Sequence, residues 1–147
     1  PQGTDVVKVS NLKIEEITGD KTTESKNIVF TPEGFGTFND AATAAGSLYI
    51  ENGKLVYEMT KIGLTDWHNK MYIERLELEA DKIYTIQFTA KADKNISCAF
   101  FLNVLGGWDP RLSATVDFTT TEQVFSYTVS SAFITDMNFE LLWQGSL

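Results

Sequence analysis

The sequence contains one cysteine and one histidine in 147 residues, and these scarcities exclude several kinds of chemistry. Cys98 has no partner for an intrachain disulfide bond, so cysteine content leaves the redox compartment open. His68 has no second histidine with which to form a zinc site, and its polar-side position favours a surface imidazole over a catalytic base. Motifs for a nucleophile elbow, a phosphate-binding glycine loop and a dinucleotide fold are also missing. Any enzymatic activity would therefore depend on carboxylates.

Basic residues and long apolar runs are scarce as well. The 12 Lys and Arg residues are outnumbered by 20 Asp and Glu residues, and the net charge of −8 repels nucleic acid and anionic membranes. No apolar run approaches the roughly 20 residues that a membrane-spanning helix needs, and the N-terminus lacks the plan of a secretory signal. With 43% hydrophobic residues, the composition predicts one soluble domain over residues 1–147, with neither nucleic acid nor membrane as a partner.

Apolar and polar residues alternate through much of the sequence, which is typical of β-strands with one buried side. In the segment 67–78, Met71 and Ile73 share one side while Tyr72 and Glu74 share the other. The same pattern predicts strands over 5–17, 47–51, 54–60, 67–78, 83–91, 96–105, 112–118, 123–129 and 138–144. Because helical periodicity is nearly absent, these strands predict an all-β protein, a two-sheet antiparallel β-sandwich.

Two local signals refine this prediction. Asn52-Gly53 predicts a type I′ hairpin, since both central residues of that turn need positive φ. The change of parity between Val9 and Leu12 predicts a β-bulge near residues 10–11. The strands around the hairpin should therefore pair antiparallel.

The alternation typical of strands stops over residues 18–46. Residues 18–27 are polar and linker-like, and the remainder of this segment includes Phe35 and Phe38. Loops of this kind are either disordered or functional. Another aromatic, Trp108, lies in the loop LGGWDPR. A ring in such a loop either packs into the core or is exposed as a platform. For Trp108 the sequence favours neither of these placements, and for Phe38 it favours packing into the core. A displayed ring suits the apolar face of a pyranose sugar, as it suits other stacking ligands.

Glu74, Asp109 and Glu140 are the carboxylates that could meet across a cleft, as a glycosidase requires. Any acidic sandwich offers such candidates, and nothing in their spacing demands a catalytic pair. A role as solvated or ligand-bonding groups is therefore favoured over acid/base catalysis.

Four segments together carry a resemblance to a known family. In chain order they are AAGSLYIENG, WHNKMYIERLELEADKIYTIQFTAKAD, ISCAFFLNV and FELLWQG, which span about two thirds of the chain. Their order and spacing resemble the carbohydrate-binding modules of families 4, 9, 16 and 22, which are jelly-roll sandwiches attached to polysaccharide-degrading enzymes. The resemblance implies a noncatalytic, monomeric module that binds a β-glucan chain (cellulose-like, mixed-linkage or glucomannan) in an open cleft. It also implies a linked glycoside hydrolase and an exported, extracellular parent protein whose signal lies outside these residues.

The same resemblance implies a binding site on the non-core faces of three strands and in two loops. Trp108 and Phe38 would supply rings that stack on sugar, while polar side chains between them bond hydroxyl groups. The other residues that match the family's pattern are Lys70, Tyr72, Glu74, Phe101, Asn103, Glu140 and Gln144. A shift of one residue in the register of 138–145 would instead expose Trp143.

The order of the segments departs from the family's pattern. Such modules end in a strand that resembles VVKVSNLKIEEI, which here comes first, and they begin with a segment that resembles KNIVFTPEGFGTF. We therefore expect a circular permutation in which 1–17 is the family's last strand, 18–27 a joining linker and 28–147 the rest of the sandwich. The alternative is an extra N-terminal strand with a truncated C-terminus, which would leave a sheet edge exposed.

Many members of the family hold a structural calcium at the seam between the first and last strands, and no other cofactor is expected. Carboxyl and carbonyl oxygens suit that ion. In this chain, Asn11 with the backbone near Val29 and Gly46 would supply them.

Two other functions remain open. A glycan-active enzyme that uses a carboxylate pair would release new reducing ends. A structural β-sandwich that binds protein would present a wide apolar patch in place of a groove.

Overall fold

The computed structural model describes residues 5–18, 21–27, 35–64, 68–79, 82–104, 106, 108–130 and 137–144. This part of the chain contains no α-helix, and so no helix long and apolar enough to cross a membrane. Its strands are β1 (Asp5–Thr18), β2 (Lys21–Asn27), β3 (Phe35–Asn39), β4 (Ala45–Glu51), β5 (Lys54–Lys61), β6 (Asn69–Leu78), β7 (Ile83–Ala92), β8 (Ile96–Val104), β9 (Pro110–Phe118), β10 (Gln123–Ser130) and β11 (Met137–Gln144).

All nine predicted strands are present, with ends that differ from the prediction by no more than two residues. The sequence pattern misses β2 and β3, which both lie within residues 18–46. The segment KTTESKN has no apolar residue and hence no alternation, yet it pairs with the second half of β1, from Thr18 opposite Lys21 to Lys13 opposite Asn27. Part of the segment expected to be a linker is therefore a strand.

The strands form two antiparallel sheets. The back sheet has six strands, in the order β10-β7-β1-β5-β4 with β2 paired to β1, and the front sheet has five, in the order β3-β6-β11-β8-β9. Phe88 of the back sheet packs against Phe100 and Trp143 of the front sheet, with ring centroids 5.2 and 5.4 Å apart. The expected two-sheet β-sandwich of jelly-roll type is confirmed.

The hairpin and the bulge in β1 are also confirmed. Asn52 and Gly53 connect β4 to β5 with φ values of 52° and 76°. The register of β1 with β7 shifts between Ser10 and Lys13, and Asn11 has a φ of 51°. Because a bulge inserts one extra residue, residues of opposite parity on its two sides can both face the core.

A second bulge lies in β6, where the sequence predicts uniform alternation. Phe139 of β11 lies opposite Leu76, and Leu141 lies opposite Ile73, so β6 has one more residue than β11 in this interval. Ile73 and Leu76 are both buried although their parities differ. The alternation predicted for this segment therefore does not continue past the bulge between Ile73 and Leu76.

Buried amides join the two sheets along one side. Tyr57 Oη of the back sheet donates to Asn39 Oδ1 of β3 at 2.7 Å. Asn69 of β6 has no exposed surface; its Nδ2 donates to the Lys61 carbonyl at 3.0 Å, and its Oδ1 accepts from Gly63 N–H at 2.8 Å. These bonds satisfy polar groups that would be costly to bury alone, and they fix β3 at the edge of the front sheet.

Candidate functional site

The front sheet has an outer face, turned away from the core, that carries most of the predicted site residues. Side chains alternate along a strand, so Tyr72, Leu142 and Phe101 point outward because their strand neighbours belong to the core. Strand pairing arranges the outer residues in two rows across the sheet. One row is Gly36, Tyr72, Leu142, Phe101 and Ser113, and the other is Phe38, Lys70, Gln144, Ala99 and Thr115. We call these two rows and Trp108 the aromatic face.

The centre of the aromatic face is apolar. Leu142 is only 2% exposed although it points outward, because it lies directly between Tyr72 and Phe101 on the neighbouring strands. A Cβ placed on Gly36 would lie 2.4 Å from Tyr72 Oη, so the ring of Tyr72 lies across that glycine. Leu142 and Gly36 are not among the site residues predicted from the sequence. The alternation that puts Leu141 inside could have identified Leu142.

Trp108 is displayed and does not plug the core. Its side chain is 61% exposed, and its ring meets Phe101 edge to face, with centroids 5.0 Å apart and an interplanar angle of 73°. Asp109, the next residue, donates its N–H to Asn103 Oδ1 at 2.6 Å, and its carbonyl accepts from Val104 N–H at 3.1 Å. The indole therefore projects from a closed loop at the end of β8.

Phe38 lies at the opposite margin of the same face. It is 40% exposed, and Lys70 Nζ lies 5.4 Å from its ring centroid, within the range of a cation–π contact. Three strand steps separate β3 from β8, which corresponds to about 14 Å. The structure thus brings Phe38, Lys70, Tyr72, Phe101 and Trp108 onto one face.

Two predicted hydrogen-bonding residues are covered. Asn103 has no exposed surface and is bonded to the loop that carries Trp108, so the expectation that it contacts a ligand directly is wrong in this conformation. Gln144 is 3% exposed between Lys70 and Ala99. The side chains of Glu74 and Glu140 lie outside the described part of the structure.

Trp143 belongs to the core. It is buried, with ring centroids 5.4 Å from Phe88 and 5.1 Å from Phe100. Gln144 and Leu142 consequently point to the outer face, as the preferred register of this strand predicts. The alternative register, in which Trp143 contacts a ligand, is wrong.

The residues proposed for a structural calcium do not fit that ion. Gly46 lies opposite Met59, which lies opposite Asp5 at the start of β1, whereas Asn11 is six residues further along β1, about 20 Å away. The Gly46 carbonyl already accepts from Asn39 Nδ2 at 3.3 Å. Val29 lies outside the described residues, and no group of three His, Cys, Asp or Glu suited to a metal occurs within them.

A polar cluster beside β3 was not anticipated. Thr43 Oγ1 lies 2.7 Å from Asp40 Oδ2 and 2.9 Å from His68 Nδ1, and Leu64 N–H donates to the same nitrogen at 2.9 Å. The hydrogen bond from Thr43 lowers the pKa of the Asp40 carboxyl. His68 is buried, so the expectation of a surface imidazole is wrong. An Nδ1 that accepts a backbone N–H, with threonine between it and the acid, is not the arrangement of a catalytic triad.

Comparisons with known proteins support the fold. Neither a scan of protein-family models nor a search of curated proteins gives a match. Among solved structures, the chain is similar to one described as "CBM4 structure and function", with 20% sequence identity, a TM-score of 0.65, and coverage of 75% of this chain and 74% of that chain. The protein therefore shares the β-sandwich fold of that structure.

Proposed function

We propose that this protein is a noncatalytic carbohydrate-binding module that holds a β-glucan chain against the aromatic face. The observation that carries the proposal is Trp108, a residue that is 61% exposed on the same face as Phe38, Tyr72 and Phe101. Leaving a large ring in water forgoes the free energy of burying it, so a displayed indole beside other rings favours a stacking ligand. The fold shared with a CBM4 structure supports the same function.

The chemistry of the face favours sugar rings over charged ligands. The row from Tyr72 through Leu142 to Phe101 offers apolar surface to the flat side of a pyranose. Polar groups lie beside these rings: Lys70 in the neighbouring row and the exposed Ser113 at the end of the same row, where they would bond hydroxyls at the sugar's edge. The ligands proposed are cellulose-like, mixed-linkage and glucomannan chains, with Glu74 and Glu140 as further hydroxyl partners.

In this proposal the module acts by keeping a linked enzyme close to the polysaccharide, and it does not cleave glycosidic bonds itself. Asp109 is a candidate carboxylate whose surroundings the structure describes, and it is paired with Arg111 through two contacts of 3.1 Å. Both of its carboxylate oxygens are thus engaged by the guanidinium. As a monomer that requires no metal, the module would keep a linked glycoside hydrolase near its polysaccharide outside the cell. Micromolar affinity, about −8 kcal/mol, suffices for that task.

Affinity electrophoresis with a panel of soluble polysaccharides tests the proposal. Wild type should be retarded by a β-glucan gel, and Trp108→Ala should lose most of that retardation. Tyr49→Ala is the matched control, because Tyr49 is an exposed aromatic of the back sheet. Absence of retardation by any β-glucan, xylan or mannan would refute the function, whereas retardation that survives Trp108→Ala would refute only the site. New reducing ends on prolonged incubation would favour a glycan-active enzyme.

We also propose that the chain is circularly permuted. β1 lies between β5 and β7 in the interior of the back sheet and buries Val7, Val9, Leu12 and Ile14, so it is not an appended edge strand. This supports its resemblance to the family's last strand. A protein rearranged as 28–147 followed by a linker and 1–17 should fold with the same circular dichroism spectrum and the same dependence on Trp108. Failure of that protein to fold would contradict the permutation.

A further inference from the structure

The loop that presents Trp108 is closed by one side-chain and one backbone hydrogen bond. Asn103 lies opposite Pro110, and the register of β8 with β9 shifts just before Asn103. The N–H of Asp109 bonds to a side chain at this position. It donates to Asn103 Oδ1 at 2.6 Å, a short bond made by a side chain with no exposed surface.

Asp109 is held at two other points. Its carbonyl accepts from Val104 N–H at 3.1 Å, and its carboxylate pairs with Arg111. Gly106, with a φ of 100°, has the left-handed conformation that lets the chain turn back between these contacts. The residue directly after Trp108 is thus fixed through its N–H, its carbonyl and its side chain.

Trp108 itself has little to hold it in place. Most of its side chain is exposed, and the ring contact that orients it is the edge-to-face contact with Phe101. A ring with so small a contact area takes its direction mainly from the backbone that carries it. The order of the indole therefore depends on the anchoring of Asp109.

We infer that Asn103 is a positioning residue that holds the Trp108 indole ready for a sugar ring, in place of the direct ligand contact suggested by the sequence. The expected effect of Asn103 on sugar binding rests on the proposed function. Its effect on the order of Trp108 can be tested without a ligand. Without this anchor, binding would have to restrict the motion of the loop and of the indole, at a cost in entropy. An anchor that orders both in the free protein removes that cost and raises affinity.

The ligand-free test is nuclear magnetic resonance of the wild-type protein and of Asn103→Ala. In the wild type, the Asp109 amide should be protected from hydrogen exchange, and the Trp108 indole N–H, assigned by its loss in Trp108→Phe, should be as ordered as the strands. Asn103→Ala should abolish both, whereas Ser97→Ala, a polar truncation on the same strand, should change neither. An unprotected Asp109 amide or a disordered indole in the wild type overturns the inference even if Asn103→Ala does not fold.

The binding test is a double-mutant cycle with mixed-linkage β-glucan. Asn103→Ala should weaken binding roughly three- to tenfold, the cost of ordering one side chain and its loop. In the Trp108→Ala background the same substitution should add no further loss, because Asn103 acts through that ring. An equal loss in both backgrounds would show a general structural role and overturn the inference. If the wild type binds no glycan, the proposed function fails, and the ligand-free test alone decides the role of Asn103.

Discussion

Gly36→Ala should destabilise the protein because it displaces the Tyr72 ring from the aromatic face. The new Cβ would lie 2.4 Å from Tyr72 Oη and 2.5 Å from Cζ, well inside the ordinary contact distance of 3.4–4 Å. Gly36 does not have the positive φ that strains other residues, so the cost comes from this overlap alone. Overpacking in a core typically costs about 1–3 kcal/mol; because the overlapping atoms are the far end of a half-exposed side chain that can turn aside, we expect a loss at the lower end, about 1 kcal/mol.

The decisive measurement is urea unfolding of Gly36→Ala in two backgrounds, wild type and Tyr72→Ala. With Tyr72 truncated, the methyl group has room, and alanine should then stabilise the strand relative to glycine by about 0.5–1 kcal/mol. The sign of the effect should therefore reverse between the backgrounds.

A control separates steric overlap from a general intolerance of alanine at glycine positions. Gly53 has a φ of 76° and open space around its Cα, so Gly53→Ala should cost stability through backbone strain, equally in both backgrounds. If Gly36→Ala has the same effect whether or not Tyr72 is present, the placement of the Tyr72 ring across Gly36 is wrong.

Three further predictions concern the core, a tyrosine and metals. Phe88→Ala removes a fully buried ring that packs between both sheets and should lower the unfolding free energy by about 3–5 kcal/mol in urea; a loss below 1 kcal/mol would contradict the described core. The hydrogen bond to Glu58 raises the pKa of Tyr49 to about 12, above its value in the unfolded chain, so its contribution to stability is complete below about pH 10 and is lost as the pH rises through 12. Ultraviolet titration should show one late-ionising tyrosine fewer in Tyr49→Phe, and an unchanged titration would refute this. Chelation should leave the thermal midpoint and glucan retardation unchanged, whereas a midpoint raised by calcium would reveal a metal site.

The alternation of apolar and polar residues was sufficient to predict most of the fold. Each of the nine predicted strands either buries one side or lies next to strands that do. β2 lacks that signal: it pairs through its backbone with a neighbouring strand, and pairing of this kind leaves no apolar period in the sequence. The bulge in β6 did leave a sign, since the apolar residues Ile73 and Leu76 are three positions apart where alternation requires two or four. It was overlooked because Glu74 fits the pattern of the residues before it.

Part of the candidate site was also predictable from the alternation of side chains along the strands. Strand parity alone places Lys70, Tyr72 and Phe101 on one face. The roles of Asn103 and His68 depend on hydrogen bonds with neighbouring loops whose shape the sequence pattern does not reveal, such as the bond from Leu64 N–H to His68. A polar residue on an outward position can face solvent, a ligand or a loop, and sequence does not distinguish among these.

Exposure on the aromatic face is decided by neighbours as well as by parity. Leu142 and Phe101 both point outward, yet the leucine is covered, since it is the shorter side chain between two rings on adjacent strands. Trp108 is exposed for the opposite reason: it lies past the end of β8, and within the described part of the chain its ring packs edge to face with Phe101. A ligand that stacks on this face would therefore meet Tyr72, Phe101 and Trp108, while Leu142 supports the rings from below. The specificity of such a surface depends on how these rings are spaced, and that spacing is set by neighbours such as Gly36 below Tyr72 and the buried Asn103 behind Trp108.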